Sequence, residues 1–474
     1  MILSTVLALS AAHSLAGFTP SVVLAASAVV RAATGAVPAR GEIVAQALDT
    51  TLSAEELEDI LYIRRAASED GRAALRHLAE SKLLERLARE NGIQPDDAEL
   101  EKRIRAFDQD IKKGGDGEGL AGHLKKARLS RDDFKRFLAL GLVQEALTRR
   151  ALGLGDDKPV TADQQKIWIE EELSKRGFQA FTPPWKDGIA ARASDYTVTS
   201  TEFLDYLRKR LSADTLREDC YQLLLQKRML ARMPDLAPEK LQKAVNDELQ
   251  RRRDEAKLDP KNRGIPLDQI LAAQGIVVDR LADDPAVRIS ALSKLWVERS
   301  YDPETLKRTY QNERELFDGL YGPAHEVGFL FLRAAGFKNQ LNPRTFEEAE
   351  RELGGYVGRA RSREEFRELA KQVSEDADTK AAGGEIGWVG PLTPKVPREV
   401  RDEVVRRLAL PEGSAQGLAG PLRLPNGVCL AWIGRRRPVP TWEVMSGYVR
   451  AELRRRFVED VLPRSAVVTV FEGS

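Results

Sequence analysis

FRELAKQVSEDADTKAAGGEIGWVG, residues 366–390, decides the fold. Phe366, Leu369, Ala370 and Val373 fall at i, i+3, i+4 and i+7, the spacing of one buried helical stripe. Ser374, Glu375 and Asp376 end that helix. Gly383 and Gly384 then permit a backbone reversal that a Cβ would hinder. A short strand carrying Trp388 follows. Helix, acidic turn, glycine reversal and strand in close succession predict helices laid against a small sheet.

The flanks extend the same unit. EVGFLFLR, residues 326–333, reads as a buried strand. Helices are expected near 345–354 and 362–373, a short strand at 386–389, and a helix from Arg398 to Leu408. Two last strands, 420–424 and 428–434, flank Pro425-Asn426-Gly427. Asn-Gly between apolar runs is a strong hairpin signal. Residues 323–438 therefore predict a compact α+β domain.

The upstream half reads as a divergent repeat, residues 41–176 and 187–320. GEIVAQALDTTLSAEELEDIL predicts a strand, a turn and a helix capped by Ser53, with Glu56 at the box position. DGIAARASDYTVTSTEFLDYL reads the same way, with Thr199 or Ser200 as the cap. Long amphipathic helices follow in both copies. GFQAFTPPWKDG, residues 177–188, joins them, and Pro183-Pro184 stops any helix there.

After Pro440 a helix is expected over 441–461, with Trp442, Met445, Val449, Leu453 and Phe457 as its stripe. Residues 465–471 (SAVVTVF) read as a lone strand, which cannot stand by itself. Its best partners are the strands at 43–48 and 189–193. Residues 440–474 would thus pack back on a helical module.

Composition narrows the function. A chain of 474 residues has room for two to four domains. Lys and Arg number 74 against 73 Asp and Glu, a net charge of +1, which gives no electrostatic reason to expect nucleic acid. Cys220 lies in a helical pattern and Cys429 in a strand pattern; two separately buried thiols fit better than a disulfide. His13, His77, His123 and His325 show no metal-ligand spacing, so neither metal nor cofactor is expected. The first thirty residues carry no charge, and Ala26-Ser27-Ala28 fits a secretory cleavage site, so residues 1–28 are expected to be an export signal. The segment has no basic n-region and Pro20 interrupts it, which leaves an uncleaved anchor or a misassigned start as alternatives. No later stretch is apolar enough to span a membrane.

Four segments together carry a family resemblance: FRELAKQVSEDADTKAAGGEIGWVG, VPREVRDEVVRRLALPEGS, AGPLRLPNG and GVCLAWIGRRRP. They resemble the parvulin-type peptidyl-prolyl cis-trans isomerases, and the whole arrangement resembles the SurA-like exported chaperone foldases. The resemblance is specific over 362–438 and diffuse in the helices. It implies a mainly α-helical α+β chain: a helical chaperone module, here read as duplicated, then a parvulin (FKBP-like) domain and a returning C-terminal helix and strand. A second helical copy departs from the usual plan. The partners implied are unfolded or nascent exported polypeptides, and the location implied is the periplasm or another part of the cell envelope.

The site implied by the resemblance is only partly matched. Family members place a histidine on the first strand, a histidine on the last, and an Asp or Cys after the acidic turn. Here Asp376 stands at the acidic position, Phe329 at the first histidine position and Cys429 at the last. His325 lies just before the strand as read from sequence, out of register. The Phe of the usual Pro-x-Phe segment is replaced, with Val400 the nearest apolar candidate. Asp376 and Cys429 are the catalytic candidates, and Phe329, Trp388, Val400 and Val404 the substrate-binding ones. Phe331 and Ile386 are cleft candidates that read more readily as core. Asp376 reads equally as a site residue or a turn carboxylate, and Cys429 as a small core residue or a cleft thiol. The implied activity is rotation about X-Pro bonds, weakened by the lost histidines. The alternatives are an inactive holdase that only grips peptide, and a helical scaffold of the envelope.

Overall fold

The computed structural model describes residues 41–471, apart from 114–117, 128–129, 156–157, 339–342 and 412–413. The expected export signal lies outside the described residues. The chain divides into two compact units. One takes residues up to 295 together with the segment from 458 onward; the other takes 296–457. The boundaries read from sequence, 176/187 and 320/323, do not coincide with this division. Both expected helical copies contribute to the first unit, and the end of the second copy belongs with the sheet domain.

In the first unit β1 (Ile43–Ala47) and β2 (Thr50–Ser53) form a hairpin that runs into α1 (Ala54–Arg65). The Ser53 hydroxyl accepts from the Glu56 N–H, and the Glu56 carboxylate accepts from the Ser53 N–H at 2.9 Å. This reciprocal box satisfies two donors that the first turn leaves without helical partners. Next come α2 (Glu69–Glu90), α3 (Asp97–Lys113), α4 (Gly119–Ala127), α5 (Arg131–Ala151) and α6 (Ala162–Lys175). The order then starts again. β3 (Gln179–Ala180), β4 (Ile189–Arg192) and β5 (Thr197–Thr199) lead into α7 (Ser200–Arg210), boxed by Thr199 and Glu202. α8 (Ala213–Ala231), α9 (Pro238–Leu258), α10 (Leu267–Ala273) and α11 (Pro285–Ser300) follow.

The two small sheets explain where the last strand goes. β10 (Val467–Thr469) pairs antiparallel with β1, Ala45 opposite Thr469, giving the order β10-β1-β2. The other sheet has the order β3-β4-β5. In it the open edge of β4 is already covered by β3, only two residues long and invisible as a pattern in the sequence. An uncovered edge on β1 is what the C-terminal segment completes.

The second unit has two parts. α12 (Pro303–Asn312), α13 (Arg314–Tyr321) and the helix α17 (Trp442–Val461) share one core, in which Leu306 and Phe317 meet Met445, Val449 and Leu453. Trp296 and Phe457 stack with ring centroids 4.1 Å apart. The other part is a four-stranded antiparallel sheet, order β7-β6-β9-β8. Its elements are β6 (Ala324–Arg333), α14 (Phe346–Tyr356), α15 (Arg363–Val373), β7 (Glu385–Val389), α16 (Arg398–Leu408), β8 (Gly417–Leu424) and β9 (Gly427–Arg437). Alternation along β6 sorts the core. Leu330 and Leu332 face α14 and α15, packing with Ala349, Leu353, Phe366 and Leu369. Val327, Phe329 and Phe331 face the other way, toward Val400 and Val404 of α16.

Candidate functional site

The face of β6 turned toward α16 is where the sequence candidates gather. Phe329, Val400, Val404 and Cys429 lie in one apolar cluster with Phe331, Val327, Val396 and Ile433. Register places Phe331 opposite Cys429, and Phe329 opposite Ala431. The two phenylalanine rings lie nearly parallel with centroids 5.9 Å apart, and each residue keeps 7% of its surface in water. Val400, Val404 and Cys429 have none. Half-buried Ile386, Leu408 and Leu422 pack against the same cluster and are its partly exposed members.

Aromatic rings therefore fill the position where the family resemblance implies a polar group. Burial pushes the Cys429 thiol up to about 12, so the group is a neutral thiol shut off from solvent at neutral pH. Cys220 is likewise buried and raised, and neither cysteine is in a disulfide. Neither thiol should react with a maleimide in the native protein at about pH 8, and both should react once denaturant is added. Rapid native labelling at Cys429 would contradict this burial.

Asp376 sits half-buried on the turn after α15. One of its carboxylate oxygens accepts from the Thr379 N–H at 3.1 Å and from the Thr379 hydroxyl, closing the turn that leads to Gly383 and Gly384. The neighbouring acidic-turn residues tie it to β6. The buried Ser374 hydroxyl accepts from the Phe331 N–H (3.2 Å), the Glu375 N–H donates to the Phe331 carbonyl (2.8 Å), and the Glu375 carboxylate accepts from the Arg333 N–H (2.7 Å) and from Arg344 (2.9 Å). Gly384 completes the attachment. Its φ is +78°, its carbonyl accepts from the Phe329 N–H at 2.7 Å, and a Cβ there would lie 2.2 Å from the Phe329 carbonyl oxygen.

Trp388 stands apart from the cluster. It is 39% exposed, with the Arg437 guanidinium 5.9 Å from its ring centroid. His325, read from sequence as lying before the strand, is inside β6 and wholly buried, because pairing with β9 begins at Ala324. A register shift between His325 and Val327 separates it from the regular alternation, and its Nδ1 lies 2.9 Å from the Gly434 carbonyl oxygen. Sequence reading missed Arg407. Its guanidinium, largely buried, donates to Ala415 O (3.1 Å) and Leu418 O (3.0 Å), fixing the start of β8 against α16. The signal was present: Arg407 continues the inward stripe of Val400 and Val404 at i+7 and i+3.

With that geometry in place, comparison with known families adds one decisive match. Residues 338–413 match the rotamase family, described as the PPIC-type PPIase domain. This segment is a PPIC-type rotamase domain. It spans α14, α15, the acidic turn, β7 and α16; of these, β7 and α16 contribute Val389, Val400 and Val404 to the cluster. No curated protein matches the chain. Among solved structures, the peptidylprolyl isomerase PrsA of Bacillus anthracis is 16% identical, covering 52% of this chain and 94% of its own, with a TM-score of 0.27. A PpiC-type isomerase domain is 23% identical, covering 25% of this chain and 95% of its own, with a TM-score of 0.19. A structure from work on PEB4 and Cj1289, two SurA-like chaperones of Campylobacter jejuni, is 16% identical, covering 58% and 93%, with a TM-score of 0.22. Likenesses of that size leave the assignment resting on the rotamase match and on the site itself. Among the described residues, no helix is long and apolar enough to cross a membrane, and no group of His, Cys, Asp and Glu is set to hold a metal ion.

Proposed function

We propose that the chain is a peptidyl-prolyl isomerase that assists the folding of exported polypeptides, binding unfolded segments and rotating their X-Pro bonds. The observation that carries this reading is the apolar cluster between the sheet and α16, with Ile386, Leu408 and Leu422 packed against it, part of whose wall (Val389, Val396, Val400 and Val404) lies in the segment that matches the rotamase family. Rotation about X-Pro must cross a barrier of about 18–20 kcal/mol set by amide resonance. An apolar seat for the proline ring takes the imide carbonyl out of water, which disfavours the charge-separated resonance form that makes the bond planar. No covalent step is involved. Phe329 supplies apolar surface where a histidine would supply a proton donor, so catalysis rests on desolvation and grip. In this reading Asp376 acts by holding the turn that leads into β7 and its Ile386, Val400 and Val404 support the seat from α16, Cys429 is a packing group, and exposed Trp388 offers a ring to the flanking client residue. Export to the periplasm or cell envelope is the setting that fits this role.

The test is a protease-free isomerisation assay on a short prolyl peptide. The native chain is expected to accelerate cis-trans exchange. Ile386→Asp, which puts a charge against the cluster, should lower kcat/KM by about tenfold or more, and Asp376→Ala should lower it by a smaller factor with a reduced melting temperature. Circular dichroism separates loss of the seat from unfolding. No acceleration by the native chain, alongside retained suppression of client aggregation, would replace the isomerase reading with that of a holdase.

A further inference from the structure

The connection from α9 to α10, KLDPKNRGIP (residues 257–266), is exposed at every position but Asn262. Leu258 keeps 82% of its surface in water, the largest share of any large apolar residue described, and Ile265 keeps 46%. The loop is nonetheless closely tied. The Asn262 side-chain amide donates to the Ala256 carbonyl at 2.8 Å, and the Ile265 N–H donates to the Asn262 carbonyl at 2.8 Å. The Asp259 carboxylate accepts from the Lys261 N–H at 2.9 Å, starting a single 3-10 turn (Pro260–Asn262). Arg263 and Gly264, with φ of +49° and +78°, then reverse the chain. Local hydrogen bonds thus hold two apolar side chains out in solvent beyond the end of α9.

The charge around this apolar pair is mainly of one sign. Within residues 257–266 three cations, Lys257, Lys261 and Arg263, stand against one carboxylate, Asp259. Lys257 lies 3.7 Å from Asp254, a long and exposed pairing. Lys261 and Arg263 make no ion pair among the described residues. Apolar tips flanked by Lys and Arg suit the boundary of an anionic bilayer, where the tips enter the acyl edge and the cations meet lipid phosphates. The long stems of Lys and Arg let their charges stay at headgroup level while the tips go deeper. Two other occupants fit less well. A polypeptide binds in a groove or along a strand edge, and a leucine as exposed as Leu258 has no walls about it. A stable dimer needs about 800 Å2 from each partner, far more than two side chains offer.

We propose that the loop 257–266 docks the first unit on the surface of an anionic lipid bilayer. Leu258 and Ile265 enter the interface, and Lys261 and Arg263 pair with lipid phosphates. The loop lies on the membrane and does not span it. Nothing in this assignment draws on the isomerase reading, so the two stand or fall separately.

The experiment uses the full chain carrying Leu258→Cys, labelled with an environment-sensitive maleimide dye. Cys220 and Cys429 are buried, so the label goes to the new position. With phosphatidylglycerol vesicles the dye emission is expected to rise and shift to the blue. Half-saturation should come at about tenfold less lipid than with phosphatidylcholine vesicles, and the difference should shrink as salt is raised. Adding Lys261→Glu with Arg263→Glu should raise the lipid needed by about tenfold or more, and adding Ile265→Asp should also raise it. All these positions are exposed, and circular dichroism checks that each variant is folded. The same dye at Lys243→Cys, exposed near the other end of α9, should not respond, which separates docking by this loop from attachment elsewhere in the chain. No response at position 258, an equal response at 243, or equal responses to the two lipids overturns the proposal. So does a response that survives Lys261→Glu with Arg263→Glu. A response to a reduced, unfolded client but not to vesicles would make the loop a polypeptide contact and overturn it as well.

Discussion

Gly384→Val is expected to destabilise the rotamase domain by about 3–5 kcal/mol and to abolish its isomerase activity. Two costs add. At φ +78° the residue sits in the left-handed region, which a β-branched side chain rarely adopts. The new Cβ would also lie 2.2 Å from the Phe329 carbonyl oxygen and 3.1 Å from the Ala370 Cβ, both parts of rigid elements. Relief requires β7 to move away from β6, and the Phe329 N–H bond to the Gly384 carbonyl goes with it. Ile386 rides on β7, so the seat proposed for the proline ring loses one wall. The neighbouring glycine is the control. Gly383 has φ +74°, but there a Cβ meets the Arg367 side chain and carbonyl oxygen no closer than 3.0 Å. Gly383→Ala should cost about 1 kcal/mol. Urea unfolding of both variants, with isomerase activity measured in parallel, tests the contrast. Equal losses for the two would mean that the turn's conformation, and not its closeness to β6, sets its stability.

Arg64→Met should destabilise the first unit by about 3–5 kcal/mol. Arg64 lies where α1, α8 and the start of α11 meet. Its Nε and one terminal nitrogen grip Asp284 at 2.7 and 2.8 Å, and the other terminal nitrogen donates to Asp219 at 2.8 Å. Gln222 accepts a fourth bond at 2.8 Å. Methionine matches much of the stem but leaves two poorly solvated carboxylates facing each other. Burial already holds the Asp219 proton above the ordinary value of 3.8, against the pull of Arg64 and Arg65. A carboxyl raised in the folded state binds more protons there than in the unfolded chain. Its contribution therefore favours folding below the unfolded value and is lost as pH rises through the folded one. Removing Arg64 raises the folded value further, so the deficit of the variant against the native chain should be smaller near pH 4.5 than near pH 7. Adding Asp219→Asn should recover a large part of the loss, since one buried charge disappears, while Asp284 keeps its bond from the Ala286 N–H at 2.8 Å. A deficit independent of pH would show that packing, rather than stranded charge, dominates.

Much of the fold was legible because its signals are local. The stripe of Phe366, Leu369 and Ala370, the Ser53–Glu56 box, and the hairpin turn within Pro425-Asn426-Gly427 each need only neighbours in sequence, and each appears where the pattern places it; of the two cap candidates Thr199 and Ser200, Thr199 is the cap. The start of β6 was not legible in the same way. Nothing in Ala324-His325 marks a strand; a partner on β9 makes it one. Likewise β3 exists because β4 offers an open edge, and no periodicity announces two residues.

Sequence alone determined that a rotamase-type α+β domain follows a helical half, and that the positions at 329 and 429 carry an aromatic ring and a thiol. Those are matters of residue type and short-range spacing. Tertiary structure decided what these groups are for. Register across β6 and β9, together with α16 laid over one face, puts Phe329 and Cys429 into an apolar core and leaves Trp388 outside it. It also gathers Arg64, Asp219 and Asp284 from segments far apart in the chain. Burial and charge pairing depend on which distant segments meet, and the pattern along any one of them does not contain that.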